Sequence, residues 1–159
     1  MATMISASDT VFATRAIHSA FFDQESLPWS DWVMAGTWFK LLKLNPSTGG
    51  FTMMLKVEPN NVAPIHGHFG SVEGYILEGG FSYENDPGLT GNYVYEDAGI
   101  RHVPVTGADG LVMFAVIHGP LGGYGDDGGI AAVVDARMMY DLAVAAGVAD
   151  HIEKPSHWE

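Results

Sequence analysis

The sequence predicts an all-β fold, a sandwich or barrel of short strands followed by one C-terminal helix. Three observations carry that expectation. Twenty glycines and eight prolines are spread through 159 residues, which suits short strands joined by tight turns better than a helical protein. Between Thr37 and His118, apolar and aromatic runs are punctuated by Asn, Asp, Gly and Pro clusters. Only beyond Asp135 does the apolar spacing become helical. Hydrophobic residues make up 47% of the chain, ample for a sizeable core.

At this length the expectation is a single domain over residues 1–159, divided into an N-terminal arm (1–30), a β-barrel (31–130) and a C-terminal helix with tail (131–159). The arm has no clean period, and Ser26-Leu27-Pro28-Trp29 breaks any helix. It is expected to pack on the domain or on a second subunit. Three of the four tryptophans lie between Trp29 and Trp38, as burial against a sheet or an interface requires.

Thr37 to Leu44 and Phe51 to Val57 read as a hairpin around the Asn45 to Gly50 turn. Val62 to His68 and Val72 to Glu78 are the next strands, and Phe81 to Glu84 continues past Gly79-Gly80. Asn85-Asp86-Pro87-Gly88 reads as a turn. Tyr93 to Glu96 and Arg101 to Val105 flank the turn Asp97-Ala98-Gly99. Leu111 to His118 is a long apolar strand, buried on both faces. The glycine-rich run Gly119 to Gly129 lacks the Gly-Lys-Ser/Thr ending of a phosphate cradle and reads as hairpin turn chemistry. From Asp135 to Val148 the apolar residues recur every three or four positions, with Asp135 as N-cap and Gly147 as terminator.

The formal charge is −12 with only seven Lys and Arg, all scattered, and the pI is near 4.7. Nucleic acid and anionic membrane surfaces are therefore not expected partners. There is no cysteine, which removes disulfides, thiolate metal sites and cysteine nucleophiles. The N-terminus does not read as a secretory signal, and no apolar run approaches a membrane span. A cytoplasmic protein is the default expectation.

The chemistry centres on His66-Gly67-His68. In a strand, residues i and i+2 share a face, so both imidazoles aim at one point, as a site for Zn, Fe, Ni, Cu or Mn begins. Alone the pair is a weak signal. Glu73 follows five positions later, and His102 stands thirty-four residues after His68. If the sheet closes into a barrel, the turn at Asp97 to Gly99 swings His102 back toward the pair. The result is an open metal site with positions free for substrate and water.

These residues resemble the two motifs of the cupins, small double-stranded β-helix (jelly-roll) barrels. His66, His68, Glu73 and Gly80 match the first motif, with Asn60 in place of its leading Gly. Gly91, Gly99 and His102 match the second, with Asp97 for Pro and Thr106 for Asn. Every metal-ligand position is kept. From Trp29 to His151 the chain is also similar to the cupin dioxygenases that cleave acetylacetone and 2,4'-dihydroxyacetophenone. That resemblance implies Fe(II) on His66, His68 and His102, with Zn, Ni or Mn as alternatives. It also implies an acid at Glu96, six residues before the third histidine.

Three neutral imidazoles leave a divalent metal its full charge, which favours an anionic chelate such as the enolate of a β-diketone or hydroxyketone. The implied activity is C–C cleavage of a small carbonyl substrate with O2. The alternatives are a non-redox isomerase or lyase, and a metal- and ligand-binding sensor without turnover. Glu73 is expected either as a fourth ligand or as a catalytic neighbour of the metal, and Glu96 as a residue orienting a histidine or water. Tyr75, Phe114, Val116 and His118 are expected to line the substrate pocket, His118 alternatively being satisfied at the barrel rim. Phe39, Met53 and Leu55 read as pocket or core. The apolar outer faces and the Trp29 to Trp38 segment point to a homodimer or a tetramer.

Overall fold

The computed structural model describes residues 21–158. The first twenty residues, including most of the expected arm and His18, lie outside the described residues. The described residues build eleven strands and one α-helix: β1 (Ser30–Asp31), β2 (Thr37–Asn45), β3 (Gly50–Val57), β4 (His66–His68), β5 (Val72–Tyr83), β6 (Asp86–Leu89), β7 (Tyr93–Glu96), β8 (Arg101–His102), β9 (Val105–Ile117), β10 (Leu121–Tyr124), β11 (Ile130–Val134) and α1 (Ala136–Ala145). The expected all-β barrel with a C-terminal helix is what forms.

Two sheets face each other. The larger runs β1-β2-β3-β9-β5-β6, with β7 pairing the first half of β5; the smaller runs β11-β10-β4-β8. All named pairings are antiparallel. Period-two alternation sends one face of each strand inward. Phe39 and Leu41 on β2, Phe51 and Met53 on β3, Ile76 on β5 and Met113 on β9 meet there, all buried. Full burial of such a side chain stabilises by about 1.5–3 kcal/mol.

Helix α1 closes one end of this core. The Asp135 carboxylate accepts from Met138 N, and Gly147 adopts a left-handed φ of 72° just past the end, so both termini are capped as expected. Met139 is fully buried and takes the Trp32 indole N–H on its sulfur at 3.1 Å. Trp29 and Trp38 are turned to the outer face instead, where Lys40 and Lys56 sit over their rings. Among the described residues no helix is long and apolar enough to cross a membrane.

Five expectations are corrected. Gly79-Gly80 does not interrupt a strand; β5 is continuous through it, with a register shift against β9 between Gly79 and Phe81. Gly79 has φ 68°, and a Cβ there would stand 2.0 Å from the carbonyl oxygen of Gly110, itself at φ 68°. The two glycines face each other as a paired bulge. For the same reason the strand expected at Leu111 begins earlier, at Val105.

The turn expected at Asn85 to Gly88 is displaced. Tyr83 pairs Asp86, leaving Glu84-Asn85 as a two-residue loop with Glu84 at φ 47°. Pro87 sits in the edge strand β6, where its missing N–H costs no ladder bond. The strand expected over Val62 to His68 shrinks to β4 and one isolated bridge at Val62. The Gly119 to Gly129 run, read as a loop, supplies β10, and β11 pairs back on it. Gly122 is needed there because a Cβ would meet the Phe69 ring at 2.9 Å.

The paired bulge yields a stability prediction. Gly79 and Gly128 share a left-handed φ, but a Cβ at Gly128 meets nothing within 4 Å. Gly128→Ala is expected to cost about 1 kcal/mol of backbone strain. Gly79→Ala adds the clash with Gly110 and is expected to cost more than about 2 kcal/mol. Urea unfolding of both variants checks this, and equal costs would show that the close approach contributes nothing.

Candidate metal centre

The site is built on the smaller sheet. His66 and His68 flank Gly67 on β4, so both rings point inward, while Gly67 faces out under Tyr124. His102 on β8 is the direct antiparallel partner of His66. The short β8 is held by the Asp97 to Gly99 turn. Gly99 N donates to His68 O and His68 N donates to Ile100 O, and Gly99 adopts φ 86°. Adjacent strands stand about 5 Å apart, so the third ring falls beside the first two.

Nε2 of His102 lies 2.8 Å from Nε2 of His68 and 2.9 Å from Nε2 of His66. The Nδ1–H of His66 donates to Pro64 O at 2.9 Å, which leaves the His66 Nε2 with a lone pair facing the cluster. Tyr83 stacks on His102, rings 4.7 Å apart and 14° from parallel. All three imidazoles are held neutral. Desolvation lowers the His66 pKa against the Pro64 hydrogen bond. Desolvation first, then the neighbouring His102 and His66, brings His68 down to about 3. Desolvation and then His66 bring His102 down to about 4.

Hydrogen bonds do not satisfy this cluster. With the His66 proton on Nδ1, no placement of single protons gives each of the two short Nε2 contacts its own well-directed hydrogen. One divalent cation gives all three lone pairs a common partner. Two imidazole nitrogens bound at about 2.1 Å and at right angles stand about 3.0 Å apart, close to the separations seen. The three side chains thus fit a metal ion, and they form the one group of that kind among the described residues.

Glu96 comes from the opposite sheet. It ends β7, pairs Val72, and is 8% exposed. Its carboxylate stands 3.4 Å from His68 Nε2 and 3.8 Å from His102 Nδ1. Burial raises its pKa to about 7. Between the sheets lies a cavity of about 100 Å3. Trp32, Met53, Leu55, Phe81, Tyr83 and Met113 form much of its wall, which among the described residues contains no Lys or Arg.

Glu73 is not in this site. Val72, Gly74 and Ile76 face inward on β5, so Glu73 and Tyr75 face outward. The Glu73 carboxylate accepts from Tyr93 Oη at 2.7 Å and from His118 Nε2 at 2.8 Å. Those bonds, Tyr93 first, hold its pKa below the ordinary carboxylate range. The expectation of a fourth ligand or metal-side catalyst is therefore corrected: strand parity turns it to the other face of the sheet. The same parity removes Tyr75, Phe114, Val116 and His118 from the pocket. On β9 it is Leu111, Met113, Ala115 and Ile117 that point inward. Arg101 turns outward and stacks over Tyr124, 3.8 Å from the ring centroid. His151 donates to Leu41 O and stacks on Phe22, far from the chemistry.

Sequence reasoning missed Tyr83 and Phe81 as walls of the site. Alternation along the strand would not have found them, because the register shift between Ile76 and Glu78 inverts parity ahead of Gly79-Gly80.

The sequence profile of the ChrR cupin-like domain matches residues 18–122. Among curated proteins no sequence match is found. Among solved structures, an RmlC-like cupin protein from Ralstonia eutropha is 26% identical with TM-score 0.76, covering 88% of this chain and 94% of that one. An acetylacetone dioxygenase from Acinetobacter johnsonii is 17% identical with TM-score 0.70, covering 82% and 93%. The anti-sigma ChrR from Rhodobacter sphaeroides, in its complex with SigE, is 22% identical with TM-score 0.51, covering 60% of this chain and 51% of that one. At such identities the last two show the shared fold alone.

Two outcomes test the site. His102→Ala is expected to lower bound metal per chain, measured by elemental analysis, whereas Glu73→Ala leaves it unchanged. In metal-free protein, Glu96→Gln is expected to be more stable than the parent, by an amount that grows with pH. The free carboxyl ionises near 4.5 and the folded one only near 7. Between those values the folded state holds a proton that the unfolded state has lost, so the Glu96 contribution to stability falls as pH rises. In the unfolded chain the histidines titrate alike in both proteins, and in the folded parent His68 and His102, near 3 and 4, are already neutral across this window. Thermal melts across that window check this, and a gap that does not change with pH would refute it.

Proposed function

The chain belongs to the ChrR cupin-like family, and on that premise we propose that it is an Fe(II)-dependent dioxygenase. Its substrate is a small β-diketone or hydroxyketone bound as the enolate, cleaved at a C–C bond with O2. The observation that carries this reading is the site itself: three neutral imidazoles converging at the wall of a small apolar cavity. His66, His68 and His102 would hold the metal. When bound, the metal supplies Lewis acidity toward the carbonyl oxygens and, as Fe(II), the redox partner for O2; Zn, Ni or Mn would supply the first without the second.

The protein's own residues do the rest. Neutral ligands leave the anionic charge to be provided by the substrate, and among the described residues the wall contains no Lys or Arg to compete for it. A carbonyl compound that becomes an anion only by enolising suits such a site better than a permanent carboxylate or phosphate. Glu96, buried beside His68 and His102, is the acid–base group placed to take the proton released on enolisation and to orient the ligand rings. Tyr83 fixes the plane of His102 by stacking. Trp32, Phe81 and Met113 supply an apolar wall that excludes water around the substrate. The similarity in fold to an acetylacetone dioxygenase supports the same reaction class. On this reading the chain works as one domain, in the cytoplasm, as a homodimer.

A second reading is favoured by the family match. The matching profile is that of the ChrR cupin-like domain, and ChrR is an anti-sigma protein in its complex with SigE. In that reading the same metal centre binds a small ligand without turnover.

The test is metal analysis of protein purified without added metal, then anaerobic Fe(II) loading and an oxygen-electrode screen of diketones and hydroxyketones. Metal-dependent O2 uptake is expected, abolished in His66→Ala, His68→Ala and His102→Ala. Full turnover in anaerobic buffer would replace the dioxygenase with a non-redox isomerase or lyase. Tight ligand binding with no product would favour the sensor.

A further inference from the structure

The cavity beside the three histidines has two unlike parts. In one stand the imidazoles, with Glu96 3.4 Å from His68 Nε2 and Tyr83 stacked on His102. Apart from these five residues, four of the described side chains that line the cavity carry a hydrogen-bond donor: Trp32, Thr37, Asn61 and Thr106. Each donor is already committed. The Trp32 indole N–H donates to the Met139 sulfur at 3.1 Å. Met139 lies on α1, outside the cavity wall, so the one polar atom of the indole is turned away from the cavity. The Thr37 hydroxyl donates to Met34 O, and the Thr106 hydroxyl to Glu58 O at 2.7 Å. Asn61 spends both amide hydrogens, on Ala35 O at 3.0 Å and on Glu58 Oε1 at 3.1 Å. Both partners are acceptors, which fixes the nitrogen and not the oxygen of the amide toward them. These bonds join the β1–β2 connection to the β3–β4 connection and to β9. A ligand could recruit one of these donors only by opening that joint.

We infer that this wall is a specificity filter: the ligand it admits carries its oxygens together at the metal and is hydrocarbon elsewhere. The inference rests on the metal centre proposed above and narrows its substrate class. Alkyl-substituted 1,3-diketones meet the requirement. Polyhydroxylated ketones, and ketones with a further ether, carbonyl or carboxylate group, do not, although they too offer adjacent oxygens to a cation. An oxygen set against this wall gives up the hydrogen bonds that water donated and finds no side-chain donor in return. A methylene in the same place gains by leaving water. At the metal the preference reverses, because there a ligand oxygen has a cation for its lone pair. An anionic tail is rejected more strongly still, since no Lys or Arg stands in the wall among the described residues. The four committed residues thus act on specificity by what they withhold. Against one added polar group an apolar pocket discriminates by about ten- to a hundredfold.

The test is titration calorimetry of the Zn(II)-loaded full chain with two hydroxamates, chelators that present two adjacent oxygens to a metal. Pentanohydroxamate and 3-methoxypropanohydroxamate share the same head and differ only in an ether oxygen replacing one tail methylene. The first is expected to bind about tenfold or more tightly than the second. Binding of both is expected to be lost in His68→Ala. Met113→Gln puts an amide donor into the wall and is expected to narrow the ratio. Should its far-UV spectrum show that it fails to fold, Leu55→Gln carries the same expectation. Equal affinities in the parent, binding of neither hydroxamate, or binding that survives His68→Ala would overturn the inference. A ratio unchanged in a folded Gln variant would overturn the role given to the wall. Zn(II) has no redox chemistry, so the ratio is read independently of O2 uptake, and the filter and the dioxygenase can fail separately.

Discussion

The antiparallel register that sets His66 opposite His102 is the constraint on which the site depends. It fixes two of the three imidazoles at neighbouring positions of adjacent strands, and the i, i+2 rule delivers the third. Strand β4 is only three residues long, yet it is paired on both sides, by β10 and by β8. Gly67 serves this arrangement directly, since its outward side is filled by Tyr124. The small sheet is thus a frame around one short strand, and the larger sheet supplies the apolar wall and Glu96.

Such a cluster is costly without a ligand. Burying imidazoles removes their water, which is why their pKa values fall and all three stay neutral. His68 Nδ1 is buried without a hydrogen-bond partner among the described residues. Converging lone pairs add electrostatic strain. A protein that holds three nitrogens this way stores free energy that a cation would release, so metal binding and folding stability should be coupled. The apolar wall strengthens that coupling because little competing solvent reaches the site.

Parity, set by a bulge in β5, decides which chemistry faces which side. The register of β5 against β9 shifts between Ile76 and Glu78, so that Ile76 and Gly79, opposite the inward Met113 and Leu111, share a face. Without such a shift, Glu73 and Tyr83 would not both take the faces they do: Glu73 outward to His118 and Tyr93, Tyr83 inward onto His102. One strand therefore serves two surfaces, an inner one that lines the cavity and an outer one dense in aromatic residues.

The all-β architecture, the capped helix from Asp135 and the trio His66, His68 and His102 were legible in the sequence. Each rests on local signals: turn chemistry, a change of period, and ligand-type residues at strand spacing. The strands within the glycine-rich Gly119 to Gly129 run were not, because glycine there reports close packing against Phe69 rather than a loop. Nor was the face of Glu73. Strands β5 and β9 carry apolar residues on both sides, so alternation left inside and outside undetermined. Choosing between them takes the opposing sheet: only when β4 and β8 close over Val72, Met113 and Ala115 do those residues become the wall and Tyr75 and Phe114 the exterior. The residues that converge on a metal were a property of the sequence. Which carboxylate joins them, Glu96 and not Glu73, was decided by tertiary packing, because inward and outward positions differ by a single residue of register.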